Sequence, residues 1–185
     1  MTRRPRAFHS GTYHLSAHGS DIRHLFLCDL DRVDFLERLS STFWRRGIEI
    51  LAYVLMGNHH HALVWIPDAR LSEALQRLHT EYSRQHNRTH RRGAHLFRAH
   101  CLARRIEDAA HLLASYRYLA RNPVEAGLVD DALAWPWSSS RAHAGIEPDP
   151  IPLNHEPLRA ALGNSARWRL HYVEMIQSGD AQAAA

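Results

Sequence analysis

Two apolar, β-rich runs separated by a two-residue turn signal constrain this chain more than any other feature. Ile48–Met56 and His59–Ile66 flank Gly57-Asn58, a pair that favours a tight hairpin because glycine reaches backbone angles closed to other residues. Pro67-Asp68 stops the second run. An antiparallel pair is thereby predicted near the middle of the chain, with other elements built around it. Gly11–Ala17, Arg23–Cys28 and His95–Ile106 read as further strands. Val33, Phe35, Leu36, Leu39 and Phe43 recur at helical spacing within Asp31–Arg46, with Asp29 or Asp31 as candidate N-cap. Leu71, Leu75, Leu78 and Tyr82 mark a second helix, which runs into a polar, basic loop from Asn87 to Gly93. A third covers Glu107–Arg121 and is ended by Asn122-Pro123, since a residue before proline avoids the α region. Strands and helices mix without regular βαβ alternation, which predicts an α+β fold rather than a doubly wound sheet.

The 185 residues suffice for one real core. The longest apolar stretch, Ile50–Met56, is far below the ~18–20 residues of a membrane span. No apolar segment follows Arg3-Arg4-Pro5-Arg6, so no secretory signal is expected. Cys28 and Cys101, the only cysteines, show no metal-ligand spacing and no disulfide scaffold. A cytoplasmic protein without membrane association is therefore expected. Beyond Gly145 the chain is Pro-rich, then weakly helical from Glu156, with a frayed tail at Ala181–Ala185.

Charge is unevenly spread. All 23 basic residues are arginine, and the net charge is +1 over residues 1–69, +7 over 70–121 and −4 over 122–185. Coding bias accounts for the missing lysine but not for the clustering. A stripe of arginine is the footprint of a phosphate-backbone partner, because its planar fork pairs bidentately with phosphate oxygens.

The chemistry-bearing residues sit in two places. In His59-His60-His61, strand alternation puts His59 and His61 on one face and His60 on the other. Two imidazoles at i and i+2 on a rigid strand can meet one divalent ion. On the third helix Ala109, Leu112, Leu113, Tyr116, Leu119 and Ala120 form an apolar stripe at ~100° per residue. Tyr116 is therefore a core aromatic, whereas Tyr118 projects away, with Asn122 one turn on. An amide oxygen near the negative end of a helix dipole suits a cation.

Four segments resemble the REP-associated tyrosine transposases, which are single-tyrosine HUH (His–hydrophobic–His) endonucleases. They are Tyr13-His14-Leu15, Met56–His61, Tyr118–Val129 and Trp135-Pro136-Trp137-Ser138-Ser139-Ser140. Their order and spacing match over about residues 10–145. The resemblance implies a central antiparallel sheet with packed helices, ferredoxin-like, over residues 1–145, leaving 146–185 as a C-terminal extension. It implies nicking and rejoining of single-stranded or hairpin DNA, with transposition as the outcome. The nucleophile would be Tyr118, leaving a 5′-phosphotyrosine link. The metal ligands would be His59, His61 and Asn122, the cofactor Mg²⁺ or Mn²⁺, and the location cytoplasmic and nucleoid-associated. A phenol with pKa near 10 is a poor nucleophile at neutral pH, and a divalent ion at the phosphate offsets that. Arg91, Arg92, Arg104 and Arg105 are the candidate DNA contacts; no obligate protein partner is evident.

Departures from the family pattern stand beside these matches. His60 replaces the usual apolar residue between the motif histidines; it either faces the core as a hydrogen-bonded histidine, the preferred reading, or binds a second partner. His18 and His100 stand where many relatives carry arginine, and Gly57 where many carry proline. Three other classes compete: a domesticated DNA-binding protein of the same fold with little or no cleavage, a zinc hydrolase using the His-x-His pair, and a structural or protein-interaction module. The first is opposed by the intact His59, His61, Tyr118 and Asn122. The second lacks a nearby general base and leaves the arginines unexplained. The third leaves both sets of residues without a role.

Overall fold

The hairpin forms around Gly57-Asn58. In a computed structural model that describes residues 8–20, 24–68, 70–93, 95–98 and 101–178, β2 (Glu49–Leu55) and β3 (His59–Ile66) pair antiparallel. The Met56 N–H donates to the His59 carbonyl across the turn at 2.9 Å. β1 (Gly11–His18) lies along the other side of β3, and the short β4 (Leu102–Arg105) completes a sheet of order β2-β3-β1-β4 in which every pair is antiparallel. The crossovers between β1 and β2 and between β3 and β4 carry α1 (Asp29–Trp44) and α2 (Leu71–Thr89). This is the βαββαβ order of the ferredoxin-like α+β fold, as expected.

The sheet separates two cores. On one face Phe35, Leu39 and Phe43 of α1 and Leu71, Leu78 and Tyr82 of α2 pack on Leu15, Tyr53, Ala62 and Val64. On the other, α3 (Ala109–Glu125) lays Leu112, Tyr116 and Leu119 on Ala52, Val54 and Leu63. After α3 come α4 (Ser140–Ala144), α5 (Glu156–Ala161) and α6 (Trp168–Gln177). They add Leu158, Trp168, Tyr172 and Ile176 to the second core. Arg117 of α3 donates to the Met175 and Ser178 carbonyls (3.2 and 2.7 Å), and Arg121 to Ile176 (3.2 Å). These carbonyls lie at the end of α6, where helix carbonyls run out of intrahelical partners; Met175 also accepts from the Ser178 hydroxyl at 3.0 Å. Two arginines of the basic segment are thus occupied within the fold.

Along β2, the run Trp135–Ser140 closes the free sheet edge. Leu55 N–H donates to the Trp137 carbonyl (2.8 Å), Trp135 Nε1 to the Leu55 carbonyl (3.1 Å), and Tyr53 N–H to Ser139 Oγ (3.0 Å). An unprotected edge would invite pairing with another chain.

Several local expectations are corrected. No strand forms over residues 24–28; Leu25 and Phe26 are buried, and their N–H groups both donate to the Gly57 carbonyl instead of joining a ladder. Arg23 lies outside the described residues. Cys28, not Asp29 or Asp31, is the N-cap of α1. Asp31, three residues on, accepts from the Leu27 and Cys28 N–H groups at 2.8 and 3.2 Å. α2 continues past Asn87 to Thr89, keeping His86 on its buried side. The strand foreseen at 95–106 shrinks to Leu102–Arg105, preceded by a single bridge between Gly19 and Phe97.

α3 runs through Asn122-Pro123 to Glu125. Both residues are buried, so packing outweighs the proline's lost N–H, and Ala126 N–H still reaches the Asn122 carbonyl at 3.0 Å. Gly127, at φ +66°, ends the helix. A Cβ on Gly57 would stand 3.0 Å from His24 Nδ1, so a proline there would press on that ring. The tail at 181–185 lies outside the described residues.

Buried histidines give this core an acid-sensitive character. His60 is turned to the α1/α2 face, its ring 4.7 Å from Phe35 and 5.8 Å from His79. Neither of its nitrogens has a hydrogen-bond partner among the described residues, so it is a core histidine but not the hydrogen-bonded one expected. Burial lowers His79 to about 4, and burial, assisted by His155 and Arg169, lowers His143 to about 3. The folded chain keeps both neutral where the unfolded chain binds protons, so stability present above about pH 6.5 is lost as pH falls toward those values. Urea unfolding followed from about pH 7.5 to 5 is expected to show this pair taking up close to two protons near pH 5, about 1.4 kcal/mol per pH unit for each. A total uptake below one proton would contradict neutral, buried rings.

Candidate functional site

The β1–β3 register assembles the site. His18 pairs with His59, Ser16 with His61 and His14 with Leu63. Partners in an antiparallel ladder share a face, so His14, His18, His59 and His61 all project toward the α3 side. His60 points the opposite way, as alternation requires. α3 covers the β2–β3 half of this face, where Ala52, Val54, His61 and Leu63 are buried. The β1–β4 half stays more open: His14 and Ser16 are half-buried, and His18, Leu102 and Arg104 are exposed.

Tyr118 and Asn122 come to the histidines from α3. Asn122 is buried, with its Oδ1 3.1 Å from His59 Nε2. Tyr118 is 41% exposed, and its ring lies edge-on 5.2 Å from His61 and 5.8 Å from His14. The rings of His59 and His61 are 5.2 Å apart, and His18 stacks on His59 at 5.0 Å. Tyr116 points into the second core, where its hydroxyl reaches the Leu51 carbonyl at 3.4 Å and burial raises its pKa far above the usual phenol value. The two tyrosines separate as the helical period requires.

Burial favours the neutral form of His14, His59 and His61. Burial lowers His14 to about 4, with His111 and Arg104 adding to the effect. Burial also lowers His61 to about 3, helped by His14 and His59, and lowers His59 despite the opposing Asn122 contact. Neutrality fixes the hydrogen bonding, because a neutral imidazole has one N–H and one lone pair. His59 Nδ1 faces Asn58 Oδ1 at 2.8 Å while its Nε2 faces Asn122 Oδ1, so one N–H stands between two oxygens. A cation between Nε2 and Oδ1 resolves that conflict; a flipped Asn122 amide is the metal-free alternative. His14 Nε2 lies 3.0 Å from His61 Nδ1. When His61 donates across that contact, its Nε2 carries the lone pair, the form in which imidazole binds a metal.

The four arginines singled out from sequence are not brought together. Arg104 pairs with His14 and shares its face, whereas Arg105 pairs with Tyr13 on the other. Arg91 and Arg92 are exposed in the turn after α2, the helix packed on the opposite face from Tyr118. His100 lies outside the described residues. Sequence reading left His14 and His18 without a place in the cluster. The signal was their period-2 placement on β1, which means nothing for His59 and His61 until the register is known.

No protein-family model matches the chain, and no curated protein matches it in sequence. Its structure is similar to that of a REP-associated tyrosine transposase bound to a REP hairpin: TM-score 0.66, 16% identity, covering 84% of this chain and 93% of that one. A candidate transposase from Deinococcus radiodurans is also similar, at TM-score 0.44 and 16% identity, over 68% of this chain and 97% of that one. The first likeness shows the fold expected from the sequence motifs. Among the described residues no helix is long and apolar enough to cross a membrane.

The unequal burial of the tyrosines yields a stability test. Tyr118→Phe is expected to change unfolding free energy by no more than about 0.5 kcal/mol. Tyr116→Ala should cost about 3–5 kcal/mol by emptying the second core. Denaturant titration of both variants checks the assignment, and a large loss in Tyr118→Phe would contradict it.

Proposed function

We propose that this protein nicks and rejoins single-stranded, hairpin-forming DNA through Tyr118, as a transposase. The observation that carries this reading is the meeting of His59, His61, Asn122 and Tyr118 on one face, two from a strand and two from a helix far along the chain. Support comes also from the fold shared with a transposase bound to a REP hairpin.

In the proposed reaction the Tyr118 hydroxyl oxygen attacks phosphorus, and the bond from phosphorus to the 3′ oxygen breaks. The phenol loses its proton and the departing 3′ oxygen gains one. The products are a 5′-phosphotyrosine link and a free 3′-hydroxyl. Since one ester replaces another, rejoining needs no ATP. His59, His61 and Asn122 are the residues that would hold a divalent ion, Mg²⁺ or Mn²⁺. The donor set fits: two neutral imidazoles and an amide oxygen, with an oxygen–nitrogen contact at His59 that a cation would satisfy. Such an ion supplies charge stabilisation at the scissile phosphate. Imidazole donors suit Mn²⁺ better than Mg²⁺. His14 acts as a positioning residue that sets the ring and tautomer of His61. Arg104 is the DNA contact nearest this chemistry in the ladder, and Arg91, Arg92 and Arg105 serve phosphates farther from it.

Incubation with labelled hairpin oligonucleotides carrying a single-stranded flank, in Mn²⁺, followed by a denaturing gel, tests this reading. The wild-type chain should form a covalent adduct whose nucleotide maps to Tyr118. Tyr118→Phe should bind the hairpin but form none, and Tyr116→Phe should retain adducts. His59→Ala and His61→Ala should lose cleavage and keep binding. Affinity should fall steeply with salt and exceed that for a random duplex. A hairpin bound tightly yet never nicked would instead identify a DNA-binding protein of this fold. Adducts on Tyr116, or persisting in Tyr118→Phe, would overturn the mechanism.

A further inference from the structure

A second group of metal-binding side chains lies on the opposite side of the sheet, where the start of α1 meets the end of α2. The two helices are antiparallel. Arg46, just past α1, reaches Glu73 in the first turn of α2 (3.2 Å), while Asp31 in the first turn of α1 meets His90, the C-cap of α2. At this second junction the donor atoms of Cys28, Asp31 and His90 all lie within 4.8 Å of one another. His86, one turn before His90, is 1% exposed, and its ring is 4.6 Å from that of His90. Among the described residues neither His86 nitrogen finds a hydrogen bond of good geometry, although the Asn87 side chain lies alongside and favours its charged form. The Asp31 charge reaches His86, so the ring sits beside the cluster.

We infer that Cys28, Asp31, His86 and His90 form a structural zinc site, separate from the Tyr118 face. The spacing is Cys-x2-Asp followed by His-x3-His, a pattern of structural zinc sites with aspartate in place of the second cysteine. Cysteine–cysteine spacing alone hides it. Asp31 is held ready: one oxygen accepts from the Leu27 and Cys28 N–H groups, and the other faces His90 Nε2 at 2.8 Å. Orientation of a ligating carboxylate by backbone donors is the usual outer support of a metal site. Tetrahedral zinc separates nitrogen, oxygen and sulfur donors by roughly 3.3–3.8 Å, so small side-chain rotations suffice for Cys28, Asp31 and His90, and His86, beside that group, turns its ring in as the fourth ligand.

Binding has a definite proton balance. Cys28 gives up its thiol proton, and His90 gives up the Nε2 proton that Asp31 now accepts, either to solvent or by a shift to Nδ1. A thiolate, a carboxylate and two neutral imidazoles leave the zinc complex neutral. That neutrality suits the buried Asp31 and His86, and the exposed Cys28 gives the ion its way in. The ion would fasten α1 to α2 immediately before Arg91, whose backbone stands at φ +50°.

Co²⁺ is the probe. Full-length protein stripped by a chelator and titrated with Co²⁺ should show tetrahedral absorption and a thiolate-to-cobalt charge-transfer band, saturating at one equivalent. Cys28→Ser should abolish that band, and Cys101→Ser should keep it. His90→Asn should weaken binding by more than about tenfold. The double variant His59→Ala/His61→Ala should keep the band, so the outcome stands apart from the fate of the Tyr118 mechanism. Wild-type protein supplies a second measurement: Zn²⁺ should slow alkylation of Cys28, read by peptide mass spectrometry, by about tenfold or more. No charge-transfer band in the wild type, a band surviving Cys28→Ser, or alkylation indifferent to Zn²⁺ would overturn the proposal.

Discussion

The pairing of β1 with β3 is the contact on which the rest of the molecule depends. A slip of one residue would carry His14, Ser16 and His18 into the α1/α2 core and turn Tyr13, Leu15 and Ala17 toward α3. Tyr13, Leu15 and Ala17 are buried, so such a slip costs the core its apolar floor and the site two of its imidazoles together. Register is therefore specified twice, by burial on one side and by the histidine cluster on the other. The Gly57-Asn58 turn fixes β2 against β3 in the same way, and the loop at Leu25 and Phe26 is tied to that turn through the Gly57 carbonyl.

Having helices on both faces makes this sheet an interior wall, and that explains the state of its histidines. His60 and His61 are buried and held neutral by loss of water. For His60 this leaves two nitrogens with no partner among the described residues, a cost borne by a tightly packed core around Phe35. For His61 neutrality leaves a lone pair available to a ligand. The same physical effect is a liability on one face and an asset on the other. α3 is held in place from outside by α6, through Arg117 and Arg121, so the position of Tyr118 depends on residues near the end of the chain.

The sequence made much of this legible, because the informative signals were local. Strand alternation separated His60 from its neighbours, helical period separated Tyr116 from Tyr118, and the hairpin followed from two turn residues. What escaped was decided by contacts between distant segments. Cys28 rather than an aspartate caps α1 because Asp31 turns back to bind the preceding N–H groups. The rule against helix before proline failed at Asn122 because burial of both residues, with the His59 contact, holds that turn. His14 and His18 joined the cluster only through register. Arg91 and Arg105 parted from Arg104 because charge along a chain carries no information about which side of a sheet it reaches.

The partial cover provided by α3 has a geometric consequence. β2 and β3 lie beneath the helix, so the open floor beside Tyr118 is the width of two strands, β1 and β4. At about 4.8 Å per strand that floor is roughly 10 Å across, bounded on one side by the helix that carries the tyrosine. Under the proposed function, a single extended chain of nucleotides fits such a ledge, with Tyr118 along its inner side and the β4 edge open on the other. The helix would then act as a stop, setting how near a strand comes to the tyrosine before any base is read.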